Sequence, residues 1–159
     1  MSEHRIVLSK KEFARLPGRS SGMSAVRLRG QIEALLVEAG IDTRAWLTKE
    51  GRNILAFEVV QRTGGDIKAL HFKFEVPRIY LKSKRGEKYM ESTSWRFFHD
   101  YMEHRLYAVI FGFSGVVDEF TDHLVMLLPD GREQTVRERI TEAIEKGERE
   151  ALPYIRREA

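Results

Sequence analysis

The sequence predicts an α+β fold, an antiparallel sheet built on a β-hairpin and packed against about three helices. Three observations predict it. Residues 53–62 and 67–77 carry strand-type apolar patterns on either side of Thr63-Gly64-Gly65-Asp66, a hairpin turn. Residues 24–39 and 92–110 repeat apolar side chains at helical spacing. Thr135 followed by Glu138 is a capping box opening a third helix.

The elements follow in order. Residues 1–23 form a basic arm, with a short strand at Ile6-Val7-Leu8 and a loop from Leu16 to Gly22. Ser24 caps the first helix. Its stripe is Leu28, Ile32, Leu35, Leu36 and Ala39, and Gly40 ends it. A strand at Ala45–Leu47 is the weakest signal. In 53–62, Leu55, Phe57 and Val59 oppose Ile54, Ala56 and Val60. In 67–77, Leu70, Phe72, Phe74 and Val76 alternate with Ala69, His71, Lys73 and Glu75, so one face is buried and the other wet. Pro77 ends that strand.

Residues 78–91 then read as a long, polar, basic loop. Ser92, Thr93 or Ser94 caps the second major helix. Trp95, Phe98, Met102, Leu106, Val109 and Ile110 form its apolar stripe, and Arg96, His99, Asp100 and Glu103 its polar side. Gly112 and Gly115 break it. A helical turn at 117–122 and an apolar strand from Leu124 to Leu128 lead to Pro129-Asp130-Gly131, a turn. The third helix buries Val136, Ile140 and Ile144 and ends at Gly147. Residues 24–153 thus form a single domain, with a tail at 154–159.

Composition narrows the function classes. The 159 residues suit one domain. With no cysteine, disulfide scaffolds and thiol catalysis are excluded. No apolar run approaches the roughly 20 residues of a membrane span, and the start lacks a secretory signal, so no membrane contact and a cytoplasmic location are expected. Net charge is only +3, but it is unevenly spread. Residues 1–29 carry seven Lys or Arg against two acids, and residues 77–91 carry five against two. Such segments attract phosphate by counterion release, or serve only as solvated surface.

Catalytic patterns are weak. His99, Asp100, Glu103 and His104 share a helix, but His99 and His104 diverge by about 140° around it, and surface ion pairs account for the group more economically. Asp118, Glu119 and Asp122 with His123 form a second cluster. Together with Glu58, Glu75 and Lys73 on the hairpin they would be the acids and lysine of a Mg²⁺ nuclease, though their spacing is not decisive. There is no Gly-x-Ser-x-Gly elbow and no Gly-Lys-Ser/Thr phosphate loop. No catalytic residue, metal or cofactor is expected.

Nucleic-acid binding is the most economical positive reading, with DNA the expected polymer. Residues 78–96 interleave Arg78, Lys82, Lys84, Arg85, Lys88 and Arg96 with Tyr80 and Tyr89. Cations grip phosphates and aromatic rings stack on exposed bases. Lys73 and His71 face out from the adjacent strand and extend the patch, and Arg15, Arg19, Arg27 and Arg29 offer a second grip. Trp95 belongs instead to its helix's core stripe. The alternative is a protein-interaction or structural component without nucleic-acid contact, a homo-oligomer included.

One block has a familiar texture. It runs from the Trp95 helix through Ser114-Gly115, Asp118-Glu119-Phe120 and Leu128-Pro129-Asp130-Gly131-Arg132 to Thr135-Val136, Gly147 and Leu152-Pro153. Upstream of it lie Gln31-Ile32-Glu33-x-Leu35-Leu36 and the strand end Phe72–Pro77. Over roughly 24–153 the chain resembles a group of small uncharacterised proteins carried by phages, plasmids and other mobile elements of bacteria. The resemblance transfers no activity and no catalytic residue. It implies a setting in which DNA handling, host interference and virion structure are frequent roles. Members tend to carry a basic stretch before the Trp-started helix; here it is shorter.

Overall fold

The structure, a computed structural model, describes residues 5–17 and 22–147. Arg19 and the expected tail at 154–159 lie outside the described residues. The fold is α+β. Its centre is an antiparallel meander of β2 (Thr43–Lys49), β3 (Arg52–Thr63) and β4 (Asp66–Glu75). The weakly signalled strand at 45–47 is therefore a full edge strand, in register with β3 from Thr43 opposite Glu58 to Lys49 opposite Arg52. Gly64 and Gly65 both have positive φ (57° and 90°), which suits the tight turn joining β3 to β4.

Two helices cover the inner face of this meander. They are α2 (Ala25–Glu38) and α3 (Glu91–Ile110). Leu28, Ile32, Leu35 and Leu36 of α2 join Trp95, Phe98, Met102 and Leu106 of α3, and Leu55, Phe57, Phe72 and Phe74 of the sheet, in one buried cluster. Aromatic rings organise it. Phe57 stacks between Phe72 and Phe74 at 5.2 and 5.3 Å, and Phe120 meets Phe74 edge-on at 5.3 Å. Trp46 packs on Trp95 at 5.4 Å and donates its indole N–H to Glu33 at 2.8 Å.

The basic segment at 78–91 is not a loop. It folds as a second hairpin, β5 (Arg78–Ser83) and β6 (Gly86–Tyr89), with Tyr80 opposite Tyr89. Only Ile79 and Leu81 mark its inward face, too few to betray a strand among so many charges. β1 (Arg5–Leu8) completes this sheet in parallel with β5, from Arg5 beside Arg78 to Leu8 beside Leu81. The helix α1 (Lys10–Phe13) follows β1 and packs on β5.

Two further expectations are corrected. α3 starts from Met90, with no side-chain cap. Ser94 lies inside the helix and fully buried; its hydroxyl donates to Met90 O at 2.7 Å and accepts the Ile79 N–H at 2.9 Å. It joins helix to hairpin instead of capping. His99, placed on the polar side, is buried as well, with Asp100 3.0 Å from its Nδ1.

Beyond α3, α4 (Val116–Phe120) and a 3₁₀ turn at Thr121–His123 lead to a small hairpin, β7 (Val125–Leu127) with β8 (Glu133–Thr135). β8 lacks apolar residues and carries no sequence signal. Then α5 (Val136–Lys146) opens with the expected Thr135–Glu138 capping box and ends at Gly147, whose φ is 68°. Its expected inward stripe fails at two of three positions: Val136 is half-buried, but Ile140 and Ile144 are 40% and 62% exposed, while Ala143 is buried. The small side chain, not the large ones, makes the contact. Among the described residues no helix is long and apolar enough to cross a membrane.

Candidate functional site

Parallel pairing of β1 with β5 brings the chain's two basic segments together. β1 ends at Leu8 beside Leu81, so Lys10 and Lys11 of α1 follow at the end of the sheet where Lys82 runs into the Lys84–Arg85 turn. Lys82, Lys84, Arg85 and Lys88 are all exposed, and none forms an ion pair among the described residues. Strand alternation puts Lys82 on the face of Tyr80 and Tyr89, and Lys88 on the opposite face beside Leu81. The cations ring the end of the hairpin rather than line one side.

Two acids at this end, Glu12 and Glu87, have partners of their own. Glu12 closes a capping box, accepting the Ser9 N–H at 2.8 Å. Glu87 pairs with Arg5. Arg5 also covers one side of the Tyr80 ring, with its guanidinium 4.4 Å from the centroid, and Tyr89 lies 5.4 Å from it at 40°. Tyr80 is thus already stacked, and Tyr89 is the more exposed of the two. Arg5 and Arg78 stand side by side on one face, like charges in register, and the Glu87 carboxylate on Arg5 offsets their repulsion. The Arg78 Nε is buried with no hydrogen-bond partner among the described residues.

The other predicted residues lie apart from this group. Arg96 is held by Asp100 on its own helix at 3.0 Å. Arg29 sits over Trp46, 4.9 Å from the ring. Lys73 belongs to the central meander, on its outer face, where it lines a cavity with His123 and Tyr101.

That second region contains the acid cluster. Arg105 donates to Glu119 at 3.1 Å and to the Tyr101 hydroxyl, and lies 3.5 Å from Asp122. Arg137 also pairs with Asp122. Tyr101 Oη and His123 Nε2 are 2.9 Å apart, and His123 Nδ1 is 3.2 Å from Lys73 O. A carbonyl only accepts, so Nδ1 carries the hydrogen, and the phenol donates to Nε2. Burial, aided by the Arg137 and Arg105 charges and opposed by Asp122, lowers the His123 pKa from 6.5 to about 4. The imidazole is therefore neutral at pH 7, stacked on Phe74 at 4.2 Å.

The acids weighed for a metal are likewise partnered. Arg52 binds Glu75 through two hydrogen bonds of 2.6 and 2.8 Å, and Glu58 lies 3.6 Å from His71. Among the described residues no group of three His, Asp or Glu is arranged to hold a metal ion. Sequence reasoning missed Arg5, Lys10 and Lys11 as neighbours of the hairpin, because nothing local announces a parallel pairing at such distance. It also missed Tyr101 and Arg105, whose partners come from a different element.

No family model matches the chain, and neither curated proteins nor solved structures yield a match.

Proposed function

We infer that this protein is a non-enzymatic nucleic-acid-binding accessory protein whose grip is the β1–β5–β6 end of the fold. The observation that carries this is the merging of two basic segments at one sheet end whose nearby Glu12 and Glu87 are already committed. Lys82, Lys84, Arg85 and Lys88, with Lys10 and Lys11, meet phosphates. Arg5 and Arg78 flank them, and Tyr89 offers the aromatic face. Contacts of this type position a polymer without reading its sequence. DNA in the bacterial cytoplasm is the expected ligand, and a phage or other mobile element the setting; that setting rests on sequence texture alone.

The test is fluorescence anisotropy with labelled single- and double-stranded DNA between about 50 and 200 mM salt. Affinity should fall steeply as salt rises. No binding at the lowest salt overturns the assignment and leaves the cations as solubilising charge.

One feature favours the second reading, a protein-interaction or structural role. At the end of α3, Tyr107 stacks on Phe111 at 5.6 Å, and Phe111 and Phe113 are 70% and 87% exposed. Sedimentation of nuclease-treated protein tests it: concentration-dependent self-association without DNA binding selects this reading.

A further inference from the structure

β2 is an edge of the central sheet, and its outer side carries free backbone groups. Glu50 and Gly51, with φ of 52° and 74°, make a two-residue turn, so the flanking Lys49 and Arg52 exchange both backbone bonds. Alternation then turns the N–H and C=O of Arg44, Trp46 and Thr48 away from β3. The Asn53 carbonyl agrees with this phase, since it points to the other side and accepts the Val76 N–H at 2.9 Å. Among the described residues no strand and no backbone bond covers this side of β2. The usual guards of an edge are missing too. β2 has no proline and no bulge, and Arg44 turns back to the Ile41 and Asp42 carbonyls at 3.5 and 3.3 Å.

The helix above this edge is uncovered on the same flank. Glu33 accepts the Trp46 indole N–H and Arg29 lies over its ring, so α2 sits over β2. Val26, Gly30 and Val37 line up with Glu33 at i, i+4, i+11 and i+7. Val26 and Val37 are 81% and 51% exposed, and nothing lies within 4 Å of where a Gly30 Cβ would stand. We propose that this protein forms a homodimer in which β2 pairs antiparallel with β2 of a second copy, about a two-fold axis at Trp46, with the two α2 helices side by side. The occupant is a second copy because the surface is complementary to itself. With the axis at Trp46, Arg44 faces the second copy's Thr48 and Trp46 faces Trp46, so every outward N–H and C=O is paired. An axis at Ala45 or Leu47 would leave Thr48 or Arg44 without a strand partner. On the outer face Ala45 meets the second copy's Leu47, which is 51% exposed, and no like charges oppose each other along β2. Across the same axis the antiparallel helices bring Val26 to Val37 and Arg29 toward Glu33, opposite charges, and Gly30 permits close approach.

This reading is independent of nucleic-acid binding, because the β1–β5–β6 end belongs to a different sheet and stays free in the dimer. The first test is sedimentation of the nuclease-treated full chain over a wide concentration range. It should approach twice the 18.5 kDa of one chain. The second test fixes the register, and the absence of native cysteine makes it clean. Ala45 and the second copy's Leu47 would form a non-hydrogen-bonded pair with Cα atoms about 4.5 Å apart, within disulfide reach. Ala45→Cys and Leu47→Cys chains should therefore crosslink on oxidation when mixed, and much faster than either variant alone. Val37→Lys should raise the dimer dissociation constant at least about tenfold, since two valine contacts are lost across the axis. Phe111→Ala with Phe113→Ala should leave it unchanged. A mass of one chain at the highest concentration overturns the dimer. Faster crosslinking within either single variant than in the mixture overturns the axis at Trp46. Dissociation on changing Phe111 and Phe113, with none on changing Val37, overturns the assigned surface.

Discussion

Two charged regions of this molecule differ in how their charges are met. Around His123, Arg105 and Arg137 are matched to Glu119 and Asp122, and both imidazole nitrogens have partners. At the tip of β5–β6, Lys82, Lys84, Arg85 and Lys88 have no carboxylate partner among the described residues. A cluster whose charges are internally satisfied works for the fold. A cluster left unsatisfied at a surface works, if at all, on something outside the chain. Changes in the first region should register in stability, and changes in the second in binding.

The largest expected effect tests the first half of that contrast. The His123 pKa is lower folded than unfolded, so the unfolded chain binds the extra proton between pH 6.5 and about 4. Stability is then fully present above pH 6.5 and lost as pH falls through that window, by about 3 kcal/mol in all. His123→Gln should lack this slope in denaturant melts at stepped pH; a variant as acid-sensitive as the wild type would show that His123 is not buried neutral.

Next in size is the hairpin. Replacing Lys82, Lys84, Arg85 and Lys88 together by Ala should flatten the log–log salt slope for duplex DNA by about 3 to 4, since each lost phosphate contact removes about 0.9. Tm should not move. A drop in Tm with an unchanged slope would place these cations in the same class as Arg105.

Arg105→Met should cost about 2 kcal/mol, less than the 3–5 expected of a fully buried pair because Arg105 and Glu119 keep some exposure (25% and 20%). For a chain this size that is a Tm loss of about 4–8 °C by calorimetry, with DNA affinity unchanged. The smallest effect sharpens the boundary between the regions. Glu87→Gln removes an acid from the basic end and frees Arg5, and should tighten DNA binding roughly two- to threefold at low salt, since one added contact steepens the slope by about one. Weaker binding would mean that Arg5 is needed where Glu87 now holds it.

The contrast also explains what sequence could and could not show. α2, α3 and the β3–β4 hairpin were legible because a dozen apolar side chains repeat at spacings only those elements satisfy, and all converge on one cluster. β5 and β6 were hidden because their outward charges outnumber the two residues, Ile79 and Leu81, that face inward. Ser94 looked like a cap because serine favours that role, but a buried Ile79 N–H had a stronger claim on its hydroxyl. On α5 the periodicity of Ile140 and Ile144 was real, yet the helix approaches through Ala143, where a short side chain allows close contact. The candidate site was half legible. Its cations stood out as a run of charge, while their separation from Lys73 and Arg96 depended on partners that no local pattern reveals.

The strand pairing that assembles the basic end also sets when it forms. β3 and β4 meet across a short turn, whereas β1 must wait for β5, which follows the whole central meander in the chain. Closing so long a segment carries an entropic cost that is recovered only once the intervening structure holds the two strands near each other. The strand made first in synthesis therefore has its partner only after the whole meander has been made. Until β1 reaches β5 the two basic segments stay apart, so the full positive surface, and polyanion affinity with it, should be acquired only with that long-range pairing.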